Sequence, residues 1–272
     1  YFTAPTERYA VTGNLDWQVT PDLTASLMLN YGHLKGEYSG TQYRNTAITI
    51  QRDNAFIPRS TNAALDIPTL LAASGATSFQ IGKGFAELGR LPLVTEDDAY
   101  RGVFSLQGNL GGGWSWDTYY QYGRNDFRYT SSNNVIVSRF TRAVDAVRNG
   151  SGQIVCRVNA DAVATNDDAA CVPYNPFGYN QQSAAAQAYV TGSGVQTNKL
   201  RQHVVAANIR GSLFDLPAGA LAIAAGGEFR SDSAKGTADS LSQSLSFFAA
   251  NGVALSGKVE VTEGYVETEV PI

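Results

Sequence analysis

Glu7-Arg8-Tyr9-Ala10-Val11-Thr12-Gly13-Asn14-Leu15-Asp16-Trp17-Gln18-Val19-Thr20 alternates in polarity along its length. Tyr9, Val11, Gly13, Leu15, Trp17 and Val19 fall on one side. Arg8, Ala10, Thr12, Asn14, Asp16, Gln18 and Thr20 fall on the other. A β-strand points successive side chains to opposite faces, so this stretch predicts a strand with one apolar and one polar face. Pro21-Asp22 predicts a tight turn. The alternation then returns at once, with Leu23, Ala25, Leu27, Leu29 and Tyr31 against Thr24, Ser26, Met28 and Asn30.

The same pattern recurs in five further stretches. It stops after Gly40 and resumes near Tyr100, where Gly102, Phe104, Leu106, Gly108 and Leu110 alternate with Arg101, Val103, Ser105, Gln107 and Asn109. Gly111-Gly112-Gly113 makes a turn into Trp114–Tyr129. There Trp114, Trp116, Thr118, Tyr120 and Tyr122 oppose Ser115, Asp117, Tyr119 and Gln121. After a second excursion, His203 to Leu213 alternates with Gln202 to Ser212. Asp215–Gly219 connects to Leu221–Arg230, and a third excursion precedes a last strand around Val261–Val270. Seven strands are thus joined by turns that run short, long, short, long, short, long. Outer-membrane barrels have short periplasmic turns and long extracellular loops, which places 41–96, 131–197 and 232–256 outside the cell. The strands run about 12–17 residues, against about 5–6 in soluble sheets. A soluble or adhesive β-protein is the competing reading, and it would need loops of roughly 55 and 65 residues, uncommon in compact domains.

Composition fits this class without deciding it. The 272 residues are 43% hydrophobic and 16% charged, a low charged fraction beside the roughly 25% of soluble domains. No apolar run reaches the length of a transmembrane helix. The net charge of −4 argues against a general nucleic-acid partner. Tyr1–Tyr9 lack a leader pattern, and Glu269-Val270-Pro271-Ile272 stops while a strand pattern is running, so both ends read as cut. An odd strand count cannot close a barrel of this kind, and the chain alone should form an open, curved sheet.

A charge facing lipid at mid-membrane costs about 2–4 kcal/mol, so charged residues of the polar faces should line a lumen. Arg101, Asp117, Arg210, Glu228, Arg230 and Glu263 are the lumen candidates, with Arg8 and Asp16 beside them. Tyr31, Trp114, Trp116, Tyr120, Tyr122, Phe127 and Tyr129 sit toward strand ends, where aromatic rings suit the headgroup region.

The excursions carry their own signals. Phe140, Ala143, Val144 and Val147 predict a short amphipathic helix stopped at Asn149-Gly150. Ser183 predicts the N-cap of a helix over 184–189, and Pro68–Ala73 is a third, weaker helix. Cys156 and Cys171 read as a disulfide in an oxidising compartment, worth about 3 kcal/mol, with two free thiols as the alternative. His33 and His203 are isolated strand residues. Glu96-Asp97-Asp98 is an exposed acidic run or a Ca²⁺ ligand set. Gly82-Lys83-Gly84 lacks the strand–helix context of a phosphate loop and reads as loop glycine. Asn149-Gly150-Ser151 is a chance match to a glycosylation acceptor. No nucleophile–base pair or metal-ligand cluster is apparent, so no catalytic, cofactor-binding or metal residue is expected and the chain does not read as an enzyme.

Four blocks carry a family resemblance: Asn54-Ala55-Phe56-Ile57-Pro58, Cys171-Val172-Pro173-Tyr174-Asn175-Pro176-Phe177-Gly178, Phe214–Gly219 with Gly226-Gly227-Glu228-Phe229-Arg230, and Val261–Ile272. Together they resemble the barrel domain of TonB-dependent outer-membrane receptors, over essentially the whole chain. The resemblance implies that residues 1–272 are part of a 22-stranded barrel, a size associated with plugged transporters. It implies a plug domain and TonB box outside this sequence, and localisation in the bacterial outer membrane. The implied activity is uptake of a siderophore, vitamin or saccharide, captured at the extracellular loops and driven by the TonB complex. A passive porin-like channel shares the strand pattern and is the alternative.

Overall fold

A computed structural model describes residues 4–272, so Tyr1, Phe2 and Thr3 lie outside the described residues. The chain is mostly antiparallel β-sheet. Its strands are β1 (Thr6–Thr20), β2 (Leu23–Ser39), β3 (Arg44–Gln51), β4 (Ser78–Gly84), β5 (Pro92–Gly111), β6 (Trp114–Val135), β7 (Ala146–Arg148), β8 (Ile154–Cys156), β9 (Thr191–Leu216), β10 (Gly219–Ala238) and β11 (Leu255–Glu269). The helices are α1 (Ile67–Ser74), α2 (Val137–Val144), α3 (Ala184–Val190) and α4 (Ser240–Gln243).

The seven long strands form one antiparallel sheet in the order β1-β2-β5-β6-β9-β10-β11. Each long strand pairs with its neighbours in that order, and among the described residues β1 and β11 have no strand on their outer sides. The three short turns lie at one end of the sheet. Gly111, Gly112 and Gly113 all adopt left-handed backbone (φ 80°, 60° and 83°), a conformation that glycine alone adopts without strain, and so let β5 reverse into β6. The three long connections lie at the other end.

Several strands are longer than the alternation predicts. β5 begins at Pro92 rather than near Tyr100, β6 runs to Val135, β9 starts at Thr191, and β10 continues to Ala238. The connections shrink to 40–91, 136–190 and 239–254. The added ends are mostly polar, with Leu93, Val94, Val135 and Val195 too scattered to mark an apolar periodicity. Glu96-Asp97-Asp98 falls on β5, which sends Asp97 to one face and Glu96 and Asp98 to the other; the three carboxylates do not converge as a cation site. Gly82-Lys83-Gly84 lies in β4, not in a loop.

The water-excluded core sits in the loops, not on the sheet. Tyr43, Ile50, Phe85, Phe140, Tyr174, Ala186 and Val190 belong to one buried cluster drawn from the first two connections, and Phe248 of the third packs against it. Rings meet edge-on, as in Tyr43–Phe140 (4.9 Å) and Tyr43–Phe248 (4.9 Å), a favoured aromatic geometry. The loops therefore form a folded cap. Helix α3 is capped by Ser183, whose Oγ accepts from the Ala186 amide at 3.1 Å. Helix α1 forms as expected, capped by Asp66. Helix α2 ends at Val144, short of the expected stop, because Val147 leaves the helix to pair in the β7–β8 hairpin. Cys156 and Cys171 are disulfide-bonded.

Two of the resemblance blocks act as joints of the cap. Asn54 Nδ2 donates to the Val144 carbonyl at 2.7 Å, and the Ala55 amide to the Ala146 carbonyl at 2.9 Å. The Tyr174 amide donates to the Ala143 carbonyl at 2.8 Å. Lys83 extends from β4 to the carbonyls of Pro176 (3.2 Å) and Gly178 (2.6 Å), paired with the buried Glu87. Arg157, next to Cys156, bridges Asp145 and Asp53 and so ties the second connection to the first.

Candidate functional site

The sheet has two chemically distinct faces. On one, apolar side chains point outward and are left open: Val11, Leu15 and Trp17 are 65%, 63% and 64% exposed. Register carries this face across the strands, for example Trp17 to Ala25 to Leu106, and Tyr120 to Val205 to Phe229. A continuous apolar band of this extent exceeds the patches that monomeric soluble proteins leave in water.

The band's upper edge does not follow the hydrogen-bonded rows. Toward the loops the band gives way to polar and charged residues after Tyr9 on β1, Tyr31 on β2, Tyr100 on β5, Tyr122 on β6, Val205 on β9 and Phe229 on β10; Val94 on β5 and Val195 on β9 lie on the same face beyond that polar stretch. The row that starts at Tyr9 passes through His33, Asp98, Asp126 and Lys199 to Lys235. Lys235 lies six residues beyond Phe229. Six residues of strand are about 20 Å and five strand spacings about 24 Å, so the edge crosses the sheet at about 40° to the rows.

Polar side chains connect across the other face. Arg101 Nε and Nη2 donate to Gln121 Oε1 at 2.9 and 2.6 Å. Gln121 Nε2 donates to Gln202 Oε1 at 2.6 Å, and Gln202 Nε2 to Asp232 Oδ1 at 2.9 Å. Arg230 lies between Asp232 (3.6 Å) and Glu228 (3.5 Å), and the Tyr119 hydroxyl donates to Glu228 at 3.2 Å. The chain of contacts spans four strands, β5, β6, β9 and β10. Nearer the short turns, Asn208 Nδ2 donates to Asp117 at 2.7 Å, and the Tyr265 hydroxyl to Asn208 Oδ1 at 3.0 Å. Gly226 makes room for that contact, since a Cβ there would sit 2.3 Å from Asn208 Oδ1 and 2.5 Å from the Tyr265 ring. Beside this network, a groove of about 710 Å³ is floored by Gly123, Ala234 and Gly257 and edged by Gln202 and Asp232.

All six charged residues singled out in the sequence share this polar face. Glu228 stands directly opposite Glu263, and Arg210 opposite Ser115, whose hydroxyl accepts from its Nε at 3.0 Å. Arg8 and Asp16 share the face on β1, where their partners are Leu34 and Ser26. Gln121, Gln202, Asp232, Asn208, Tyr119 and Tyr265 complete the network; scanning for charge missed most of them, although their odd–even position was visible. Phe127 and Tyr129 are corrected. Their register partners are Asp97 and Thr95, so they lie on the polar face toward the loops and not in the outward aromatic band.

The histidines flank the band's upper edge. His33 Nδ1 and the Tyr31 hydroxyl both meet Asp98 Oδ1, at 2.9 and 2.7 Å, and His203 Nδ1 meets the Tyr120 hydroxyl at 2.8 Å. Among the described residues, no group of three or more His, Cys, Asp or Glu side chains is placed to hold a metal ion.

The cap leans over the polar face. Gly194 lies on that face opposite Ser131, and a Cβ there would sit 2.8 Å from Ser242 Oγ of α4. Gln196, on the same face, donates to the Val253 carbonyl at 3.3 Å. Ser131 is fully buried beneath these contacts. In the cap, the Thr69 hydroxyl, the Ser60 amide and the Arg59 guanidinium hold the Asp66 carboxyl well below the usual carboxylate range. Burial pushes the Tyr174 hydroxyl far up.

No protein-family model and no curated protein matches the chain. A solved structure similar to it is the siderophore receptor PiuA from Acinetobacter baumannii. That receptor is 12% identical, with a TM-score of 0.38 over 97% of this chain and 29% of the receptor chain. The chain thus spans less than a third of the receptor's length. A TM-score of 0.38 identifies neither family nor function, so function has to be read from the chain's own geometry.

Proposed function

We propose that this sheet is a sector of an outer-membrane β-barrel that takes up a scarce small-molecule nutrient. The observation that carries the proposal is the diagonal apolar band. If its edge marks the membrane surface, the strands tilt by about 40°, within the 35–45° of outer-membrane barrels. A soluble sandwich has no reason to set the edge of its apolar face obliquely to its strands. The apolar face then meets lipid, the Arg101–Asp232 network lines the lumen, the short turns are periplasmic and the cap is extracellular. Further strands continue from β1 and β11, because unpaired backbone is not tolerated in lipid.

The finer reading is a TonB-dependent transporter of 22 strands. The polar network meets a plug domain, and the cap, leaning over the lumen, receives a siderophore, vitamin or saccharide. Its work is transport rather than catalysis. Cells carrying the intact gene provide the test. The protein should fractionate with the outer membrane, migrate faster in unheated than in heated detergent gels, and support ligand uptake that stops when TonB is deleted. Uptake that survives loss of TonB would make it a passive channel. Recovery as a detergent-free soluble monomer would overturn the barrel itself.

A further inference from the structure

Just beyond the apolar band, on its loop-facing side, the outward face carries charges that strand pairing alone leaves unbalanced. Arg124 on β6 stands directly opposite Arg201 on β9, and Lys199 on β9 directly opposite Lys235 on β10. Register puts all four on the face of Tyr100, Tyr122 and Val205. Like charges directly opposite each other across a strand pair are destabilising, and here two such pairs adjoin. Asp126, which stands opposite Lys199, balances Arg124 only, and the other three cations are left without a carboxylate partner among the described residues. Asp126 is taken by Arg124 at 2.5 Å, and Glu260 by Lys258 at 2.7 Å. Lys199, Arg201 and Lys235 are exposed and, among the described residues, have no carboxylate within ion-pair distance.

Position supplies the missing counter-charge. The patch begins one outward step past Tyr122 and two past Val205, where an aromatic boundary gives way to the headgroup layer. We infer that Lys199, Arg201 and Lys235, beside the Asp126-paired Arg124, form a docking surface for phosphate-bearing lipid headgroups of the outer leaflet. This rests on the membrane orientation proposed above. The lysines supply point charges and the arginines forked donors suited to phosphate oxygens. Bound phosphate turns two repulsive pairs into bridges across β6, β9 and β10.

The test uses the full-length protein in a non-ionic detergent with three probes: diphosphorylated lipid A, the same lipid with both phosphates removed, and inorganic phosphate. Native mass spectrometry reads binding, compared between the parent protein and K199Q/R201Q/K235Q. The diphosphorylated lipid should bind the parent far better than the dephosphorylated lipid, with about fivefold loss per cation removed. Equal binding by the variant, or by the dephosphorylated lipid, overturns the inference. Inorganic phosphate matching the lipid would make this a free-anion site and overturn the lipid assignment. Heat-modifiability of both proteins keeps the two proposals separable. A barrel that inserts but shows no phosphate preference overturns the patch alone, whereas a parent that never inserts overturns the orientation with it.

Discussion

Cap and sheet draw on the same apolar residue types and treat them in opposite ways. In the cap, Phe85, Ile50 and Phe140 are 0%, 0% and 1% exposed, gathered from segments far apart in sequence. On the sheet, Leu15 and Trp17 stay open, and what holds the strands together is the hydrogen-bonded ladder itself. On the orientation proposed above, lipid completes the uncovered apolar face of that ladder. The cap, with its own core and disulfide, is completed in water. The two halves should therefore respond to different solvents and different mutations.

The largest separation should come from Phe140→Ala. Removing a buried ring that touches Tyr43, Phe85 and Tyr174 should destabilise the cap by about 3–5 kcal/mol. Hydrogen exchange should accelerate over 43–57 and 174–190 and stay slow in β5, β6 and β9. Equal acceleration in the strands would show that cap and sheet unfold as one unit. Replacing both Cys156 and Cys171 by Ala should lower cap stability by about 3 kcal/mol, read as faster proteolysis within 157–170, again without touching the sheet.

The converse break is a pair of neighbours on β9. Ile209→Arg places a charge on the outward face and should cost about 2–4 kcal/mol when the protein is refolded into vesicles. Asn208→Arg, one residue away on the polar face, should cost well under half as much in the same assay. Similar costs for the two would erase the distinction between the faces.

The smallest effect concerns acid. The Asp66 carboxyl is depressed in the folded cap, so its contribution is fully present above the unfolded value of about 3.9 and is lost as pH falls through the lower folded value. Exchange of the α1 amides should be flat, after correction for intrinsic rate, from neutral pH down to about pH 4 and rise only below it. Asp66→Ala should raise it about fivefold at neutral pH, through the roughly 1 kcal/mol of a lost N-cap.

What was legible in the sequence follows the same division. Alternation exposed the middle of every long strand, because there one face is apolar and the other polar. It also put all six charged candidates on one face of the sheet, the polar one. The strand ends at Pro92–Ala99 and Thr191–Leu200 were hidden because polar and small residues fill most positions of both faces there and the cap, not a periodic apolar face, buries Leu93 and Gly194. The cap core was hidden for a different reason. Tyr43, Phe85, Phe140, Tyr174 and Phe248 converge through contacts between distant segments, which local periodicity does not register. Val147 shows the limit on a small scale: its spacing from Phe140 and Val144 continues a helix, but pairing with Val155 takes it into β7. The amides Gln121, Gln202 and Asn208 were overlooked because a search for charge passes over neutral groups, even where they link the charged ones.

The orientation of the two faces is tested most directly by single nitroxide labels at each position from Val204 to Arg210 in the full-length protein reconstituted in vesicles. Accessibility to oxygen should peak at Val205, Ala207 and Ile209, and accessibility to a water-soluble nickel reagent at Val204, Ala206, Asn208 and Arg210, the two patterns out of phase with a period of two. Uniform aqueous accessibility along the strand, or a period of two with the faces reversed, would contradict the account.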